Sequence, residues 1–328
     1  MEIIRSDHPD FKNKWDNIYK NRKETVLYSL LNIEYQKKYL SETDVKDLSF
    51  IVHEQGQPIV AVILSLETYA DNLIKLSGFG NPICYIELAP RVIEISILQK
   101  KVKEELENIF SDHKISLISY RDYLWNNTIS YLGKYFLEKG AVGTPFYTQV
   151  IDLSLNEDQL RKGIRKSYKS LINWGNKNLK LQLLQADNIT QGHIDAFRQL
   201  HIEVAERETR SKDTWDIQLE MVRSHEAFIL FGKLENNLVS AGLFMYNSNT
   251  CYYGVSASKR ELFEKPLFHY LMWQAILHSK NIGCRYFDAG MQLITNAENS
   301  TISSKEMGIS KFKKGFGGAT KVCLNINL

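Results

Sequence analysis

The stretch Phe228–Tyr246, FILFGKLENNLVSAGLFMY, contains two apolar runs on either side of the polar turn at 235–237. Runs rich in aliphatic and aromatic residues around such a turn predict a β-hairpin. A third β-prone run covers Cys251–Val255. From Phe268 onward, apolar residues recur at i, i+3, i+4, i+7 and i+8, which predicts an amphipathic helix. A further strand is predicted over Cys284–Asp288, so this half of the chain predicts a strand meander, a helix and another strand.

The first half of the chain repeats this order of elements. They are predicted over Phe50–His53, Ile59–Leu66, Leu73–Phe79, Ile95–Ile109 and Lys114–Tyr120. An order that occurs twice indicates an approximate internal duplication. We divide the chain at Thr144–Pro145, into domains 1–144 and 145–328. Meanders with helices packed on both faces predict an α/β or α+β fold, with a mixed sheet flanked by helices in each domain.

The composition of the chain is that of a globular protein and argues against several other classes of protein. The chain has 328 residues, 44% of them hydrophobic and 24% charged, as in globular domains. No apolar run reaches the roughly 18 residues of a membrane span, and the N-terminus lacks the apolar segment of a signal peptide, which predicts a cytoplasmic protein. The net charge of +3 is too balanced for a protein that coats nucleic acid. The four cysteines have no CxxC spacing, so no zinc or other metal site is predicted.

A basic segment lies within a predicted helix over about Glu157–Asn173. Arg161, Arg165 and Lys169 are spaced i, i+4 and i+8, which would place them on one helical face. No acidic residue is interleaved with them. Such a face favours a polyanionic partner, such as the phosphates of a nucleotide, a tRNA or a membrane surface. The alternative is a solvated helix face.

Two arginines follow a second predicted helix, Thr190–Glu206. Arg207 and Arg210 have small hydroxyl residues nearby, and an arginine pair of this kind can bind a phosphate in bidentate fashion. The alternative is a charged helix terminus that interacts favourably with the helix dipole. We retain both arginines as candidate substrate ligands.

The C-terminal segment 309–318, ISKFKKGFGG, has the most specific pattern. Its glycines allow close approach of the backbone to a ligand, and Lys313 can neutralise a phosphate or a developing oxyanion. The alternative is a glycine cap that ends a helix with a hydrophobic contact. Asp288, at the end of a predicted strand, is a candidate base, or else caps the next turn. Tyr253 and His269 are further candidates, or else ordinary core or surface residues.

Five segments of the second half carry a family resemblance: Ile164–Tyr168, Tyr253–Ser256, Leu271–Ile276, Gly283–Asp288 and Phe312–Gly318. With them, about residues 145–325 resemble the FemAB-like acyltransferases of the GNAT superfamily. It implies two tandem GNAT-like domains, with the active site in the second. Characterised members transfer an amino acid from aminoacyl-tRNA to an amine of a peptidoglycan precursor. Members that use tRNA carry a long coiled-coil arm, and this sequence has no heptad stretch that would form one.

The resemblance also implies roles for individual residues. Lys313, which follows Phe312, would lie near substrate phosphates and the reacting carbonyl. Arg207 would pair with a nucleotide-linked or lipid-linked pyrophosphate. Lys259 and Arg260 occupy the segment where acetyl-CoA-dependent GNAT enzymes bind the donor pyrophosphate, although this segment lacks their glycines.

Together these observations predict an N-acyltransferase that acts on a nucleotide- or lipid-linked sugar or peptide precursor of the cell envelope, with peripheral contact to the inner membrane surface. Lys313 and Asp288 are the predicted catalytic residues. The predicted substrate ligands are Arg207, Arg210, Phe312, Tyr253 and His269. The predicted donor ligands are Arg161, Arg165, Lys169, Lys259 and Arg260.

The predicted donor is acetyl-CoA, another acyl-CoA or aminoacyl-tRNA, and no metal is expected. One alternative is an acetyl-CoA-dependent sugar N-acetyltransferase of surface polysaccharide synthesis, and another is a non-catalytic phosphoglycan- or RNA-binding protein.

Overall fold

The chain forms two units. The computed structural model describes residues 1–20, 22–40, 43–88, 95–124, 127–294 and 303–328. Unit 1 comprises Met1–Lys20, Leu27–Phe146 and Val322–Leu328, and unit 2 comprises Asn21–Val26 and Tyr147–Lys321. The division into domains after Thr144 stays a prediction. Among the described residues, no helix is long and apolar enough to cross a membrane.

Unit 1 contains two groups of paired strands. Its elements are β1 (Glu2–Arg5), α1 (Phe11–Tyr19), α2 (Leu30–Tyr39), β2 (Asp44–Asp47), β3 (Phe50–Glu54), β4 (Gln57–Ile63), β5 (Ser65–Thr68), β6 (Ile74–Ser77), β7 (Cys84–Glu87), α3 (Ile95–Asp112), β8 (Leu117–Asp122) and α4 (Tyr131–Glu138). The order in one sheet is β1-β3-β4-β7, and in the other β8 pairs with β6, β6 with β5 and β5 with β2. Their apolar faces pack against α1, α3 and α4.

The predicted strand Ile59–Leu66 is two strands, β4 and β5. Leu64 lies between them, and the buried Ser49 hydroxyl bonds both its N–H, at 3.1 Å, and its carbonyl, at 3.3 Å. A side chain therefore satisfies the backbone where the ladder is interrupted. As a result β4 pairs with β3 and β7, whereas β5 pairs with β2 and β6.

Unit 2 has a six-stranded mixed sheet. Its elements are β9 (Val142–Asp152), α5 (Glu157–Gly163), α6 (Lys166–Asn178), β10 (Lys180–Leu184), α7 (Gln191–Ala205), α8 (Lys212–Arg223), β11 (Ala227–Leu234), β12 (Asn237–Tyr246), β13 (Thr250–Ser258), α9 (Leu267–Asn281), β14 (Tyr286–Gln292), α10 (Ser304–Lys314) and β15 (Ala319–Asn327), which ends in unit 1. The strand order is β10-β11-β12-β13-β14-β9. Only the β13–β14 pair is parallel among the ladders that the structure describes within this unit.

The predicted hairpin over Phe228–Tyr246 is confirmed as β11 and β12. Leu234 lies opposite Asn237, so the loop consists of Glu235 and Asn236 alone. Both have positive φ, 50° and 69°. Two-residue loops of this kind match the twist of the flanking strands, which is why the polar turn fixes the register of this hairpin.

The predicted single helix Glu157–Asn173 is wrong. Gly163 ends α5, Ile164 is extended, and α6 begins only after Arg165. The Arg165 N–H bonds the Gly315 carbonyl at 2.9 Å instead of a carbonyl of the preceding helical turn. Because the helix is interrupted here, the basic residues at i, i+4 and i+8 do not share one helical face.

The sheet of unit 2 opens between its parallel strands. The described ladder joins Thr250–Tyr252 only to Tyr286–Asp288. Beyond this point β14 continues beside β9, and the irregularity in that ladder falls between Asp288 and Gly290. Helix α7 packs against β13, and α10 packs against β14. The end of β13 therefore borders a space next to α10.

Candidate active site

A cavity of about 590 Å³ occupies the open end of the sheet in unit 2. It is lined by Tyr252–Ser256 of β13, by a face of α10 that includes Phe312 and Lys313, and by His201 and Arg210. The start of α10 is fixed by its sequence. The Ser303 hydroxyl accepts the N–H three residues later, and that residue's carboxylate bonds back to the cap. The last turn of this helix carries the lysine that enters the cavity.

Lys313 is half-buried and lies beside an aromatic ring and a glycine. Its Nζ atom is 5.9 Å from the centroid of the Tyr253 ring. A Cβ atom at Gly290 would lie 3.1 Å from the same Nζ, so the absence of a side chain there leaves space for the ammonium group. Burial lowers the pKa of Lys313, and the negative charge of Asp288 opposes that change. The ammonium group of Lys313 is thus held in a partly desolvated position.

Asp288 lies in β14, and its carboxylate accepts hydrogen bonds from neighbouring groups. The donors include the Thr148 hydroxyl, at 2.5 Å, and the Gly290 N–H, at 2.8 Å. Both bonds stabilise the charged carboxylate. This arrangement favours an electrostatic role beside Lys313 over proton abstraction from a substrate. The predicted role of Asp288 as base stays a prediction.

Tyr253 contributes an ordered phenol to the cavity. Its hydroxyl shares a hydrogen bond with the Ser256 hydroxyl at 2.6 Å, and its ring stacks on Phe244 with centroids 5.7 Å apart. Burial raises the pKa of Tyr253 to about 12. The phenol is therefore neutral near pH 7, where it can donate a hydrogen bond to a substrate oxygen.

His269 belongs to an aromatic cluster behind the cavity wall. Its ring lies 4.6 Å from that of Tyr168 and 5.1 Å from that of Phe312, measured between centroids. Burial lowers the pKa of His269 to about 4, so the ring is neutral near pH 7. A Cβ at Gly315 would lie 2.1 Å from the Tyr168 ring, which shows that this glycine serves packing. In the described structure His269 supports Phe312 and does not itself line the cavity.

The structure separates the two predicted phosphate ligands. Arg210 lines the cavity, and its guanidinium lies 5.6 Å from the centroid of the Trp215 ring. Arg207 is exposed and is not part of the cavity lining that the structure describes. The cavity brings Arg210 together with Lys313, and the role of both arginines as substrate ligands stays a prediction.

The predicted donor ligands have different surroundings. Lys259 forms ion pairs with Glu203, at 3.1 Å, and with Glu261, at 3.4 Å. Arg260 pairs with Glu206 at 2.7 Å. These carboxylates offset the positive charge that a site would need in order to bind a pyrophosphate.

The basic side chains of α5 and α6, in contrast to Lys259 and Arg260, are not paired with acids in the described part of the chain. Arg161 bonds the Asn173 side chain at 2.9 Å, and Arg165 lies over the Tyr168 ring. Neither they nor Lys169 form an ion pair with an acid in the described part of the chain. Their positive charge is available to an anionic partner.

His201 is a cavity residue that sequence reasoning missed. It lies on α7, its Nδ1 atom is 3.5 Å from the Thr209 hydroxyl, and its ring meets that of Trp215 edge to face. Burial and the positive charge of Arg210 lower the pKa of His201. The signal available in the sequence was its position in the last turns of the helix that leads to the predicted arginine pair.

The class of fold follows from these observations. A mixed sheet that opens between parallel strands, with a cavity at the opening, is a GNAT-like arrangement, and the duplicated order of elements gives the chain a tandem GNAT-like fold. The predicted fold, with mixed sheets flanked by helices, is confirmed. Among the described helices, none exceeds the 18 residues of α3, in agreement with the predicted lack of a long arm.

Comparison with solved structures identifies similar proteins. A FemX crystal structure matches with a TM-score of 0.71 and 13% identity, covering 99% of this chain and 97% of that chain. The C-terminal domain of a lysylphosphatidylglycerol synthetase described as putative, from Agrobacterium fabrum, matches with a TM-score of 0.60 and 10% identity, over 96% and 91% of the two chains. A tandem GNAT protein from the clavulanic acid biosynthesis pathway matches with a TM-score of 0.51 and 12% identity, over 100% and 98%.

Sequence comparison adds no family assignment. No protein-family model matches the chain, and no curated protein sequence matches it. At identities of 10–13% the structural matches establish the fold. The resemblance to FemAB-like and GNAT acyltransferases is therefore confirmed at the level of fold.

Proposed function

We propose that this protein is an N-acyltransferase, which moves an acyl or aminoacyl group to an amine of a nucleotide- or lipid-linked cell-envelope precursor. The observation that carries the proposal is the half-buried ammonium of Lys313 at the open end of the sheet. In a partly desolvated cavity, a fixed cation stabilises the negative charge that develops on a carbonyl oxygen during acyl transfer. Its neighbours Asp288 and Tyr253 hold this charge in position.

Arg210 is the proposed ligand for the phosphates of the acceptor. A guanidinium binds phosphate through two parallel hydrogen bonds, and this one lines the same cavity as Lys313. Phe312 and the Tyr253 ring offer apolar surface to the part of the substrate near the reacting carbonyl. The structural matches to FemX and to lysylphosphatidylglycerol synthetases support an acceptor from the cell envelope.

Two features support two different donors. The backbone of β13 beyond Tyr252 has no ladder partner on β14 within the described residues, so it can pair with an extended amide-containing chain such as the pantetheine arm of an acyl-CoA. Conversely, Lys259 and Arg260 are neutralised by acids, whereas Arg165 and Lys169 are not. The second feature favours a larger polyanion, aminoacyl-tRNA, bound across α5 and α6.

Binding measurements separate these donors. Calorimetric titration with acetyl-CoA, with free CoA as control, gives micromolar affinity if the donor is a CoA thioester. Titration with aminoacyl-tRNA instead gives binding that weakens steeply with salt. Arg165→Glu would then reduce tRNA binding at least about tenfold. Lys177→Glu, an exposed change at the far end of α6, would have a smaller effect.

Turnover tests the function itself. Radiolabelled acetyl-CoA and a mixture of radiolabelled aminoacyl-tRNAs are each offered with three acceptors: a UDP-linked muramoyl pentapeptide, its lipid-linked form, and UDP-glucosamine. Transfer of label to an amine in any combination supports the proposal. Acetylation of UDP-glucosamine would identify a sugar N-acetyltransferase. Salt-dependent RNA binding without turnover in any combination would contradict an enzyme and support a binding protein.

A further inference from the structure

We propose that His201 is the group that takes the proton from the acceptor amine. This inference rests on the proposed acyl transfer and names a residue for which neither the sequence pattern nor the fold assigned a role. An amine that is protonated near neutral pH cannot attack a carbonyl until it loses a proton. The cavity that holds Lys313 must therefore contain, or open to, a proton acceptor.

His201 is placed to accept that proton. It lines the cavity together with Lys313, and its ring is held against Trp215 with centroids 5.5 Å apart. The Thr209 hydroxyl lies 3.5 Å from Nδ1, where it can accept the Nδ1 proton. The other ring nitrogen, Nε2, then carries the lone pair. No residue that the structure describes hydrogen-bonds to Nε2, so it remains available to a molecule in the cavity.

The other polar groups near the cavity are less suited to accept a proton. The Tyr253 phenol is neutral near pH 7 and already shares a hydrogen bond with Ser256. Asp288 has two hydrogen-bond donors and faces the charge of Lys313. His269 lies within the aromatic cluster, away from the lining.

Burial and the charge of Arg210 keep the imidazole of His201 neutral. Arg210 follows on the same segment, Lys305 and Lys313 line the cavity from α10, and Tyr252 and Tyr253 line it from β13. Burial, and after it the positive charge of Arg210, lower the pKa of His201 below its usual value near 6.5. Near pH 7 the ring is a base and not an acid.

His201 Nε2 accepts one proton from the acceptor ammonium, and the resulting amine attacks the acyl carbonyl, forming a C–N bond. The bond between the carbonyl carbon and the leaving oxygen or sulfur then breaks. The acceptor nitrogen, now bonded to the acyl carbon, gives a second proton to the leaving group. His201 then releases the proton that it accepted to solvent. No oxidant, reductant or metal is required.

The test is the pH dependence of kcat in His201→Asn, measured with whichever donor and acceptor pair of the panel above gives wild-type turnover. At pH 7 we expect kcat to fall at least about 100-fold. It should then rise about tenfold per pH unit toward pH 9 because the amine loses its proton to solvent instead. The wild-type enzyme should show no such rise. His225→Asn, an exposed change at a positive-φ position of the same unit, is the matched control and should keep the wild-type profile.

Chemical rescue distinguishes a base from a structural residue. His201→Ala should regain at least about tenfold of its lost kcat when imidazole is added, whereas a residue that only supports the wall would not respond. A pH profile of His201→Asn parallel to that of the wild type, or absence of rescue in a folded His201→Ala protein, overturns the assignment while leaving the acyltransferase intact. Absence of wild-type turnover on the whole panel removes the proposed function and this inference with it.

Discussion

Replacing Lys313 is the most direct test of the active site. Lys313→Met removes the ammonium group, which lies 5.9 Å from the centroid of the Tyr253 ring, but keeps an unbranched apolar stem. Asp288 then loses its cationic neighbour and keeps its bonds from Thr148 and Gly290. Because these two donors still satisfy the carboxylate, we expect the free energy of unfolding to change by less than about 1 kcal/mol.

The expected loss of activity follows from the position of the charge. Lys313 is half-buried, with burial lowering its pKa and Asp288 opposing that change, so its field acts in a medium of reduced dielectric constant. Removal of one preorganised oxyanion stabiliser costs about 2.7–4 kcal/mol in other acyl-transfer sites. We therefore expect kcat to fall about 100- to 1,000-fold, with little change in the KM of the donor.

The assay is steady-state transfer of label, with urea unfolding of the same preparations as a check on folding. Lys311→Met is the matched control. It changes an exposed lysine two residues earlier on α10, about 200° around the helix, and should keep wild-type activity. A folded Lys313→Met protein with kcat within a factor of about three of the wild type would refute the catalytic role.

Three further outcomes are expected. Arg210→Ala should raise the KM of a UDP-linked acceptor at least about tenfold and Arg207→Ala less than about twofold. Equal effects would contradict the assignment by cavity lining. In urea unfolding, Gly315→Ala should destabilise by about 1–3 kcal/mol through its clash with a tyrosine ring. Gly308→Ala on the same helix, with nothing within 4 Å, should not destabilise. Because His269 titrates at about 4 when folded and at about 6.5 when unfolded, the stability that it contributes is complete above pH 6.5 and is lost as the pH falls toward 4. The unfolding free energy should fall by about 2 kcal/mol between pH 7 and 5, and less in His269→Gln.

The strand and helix order of unit 2 was predictable because local pattern and tertiary structure agree there. The hairpin of β11 and β12 has apolar runs, a two-residue polar loop and a buried sheet position, all of which favour the same register. Helix α9 similarly buries the apolar face that its spacing predicts. In unit 1 the break at Leu64 depends on the distant Ser49 hydroxyl, and no local pattern encodes that contact.

The site was predictable in part. Lys313 and the arginine-containing segment stood out because basic residues beside glycine or hydroxyl residues form an unusual sequence pattern. Spacing alone did not show that acids neutralise Lys259 and Arg260, since Glu203 lies in α7 and Glu206 directly after it, more than 50 residues earlier. The prediction that Arg161, Arg165 and Lys169 share one helical face was wrong for a similar reason. The Arg165 N–H bonds the carbonyl of Gly315, about 150 residues later, and the helix is interrupted there.

The duplication explains the framework of each unit but not the position of the chemistry. The strand β8 of unit 1 ends in Asp122, as β14 of unit 2 carries Asp288. Asp122 is buried, and its carboxylate accepts bonds from the Ser130 N–H at 2.8 Å, the Ser130 hydroxyl at 2.6 Å and the Leu124 N–H at 2.9 Å. Asp122 thereby holds Ser130, whose hydroxyl caps α4. In unit 2 the helix after β14 is capped by Ser303, which bonds Glu306 of the same helix, and Asp288 instead lies near Lys313. The role of the acid on the strand thus depends on which carboxylate holds the serine that caps the next helix.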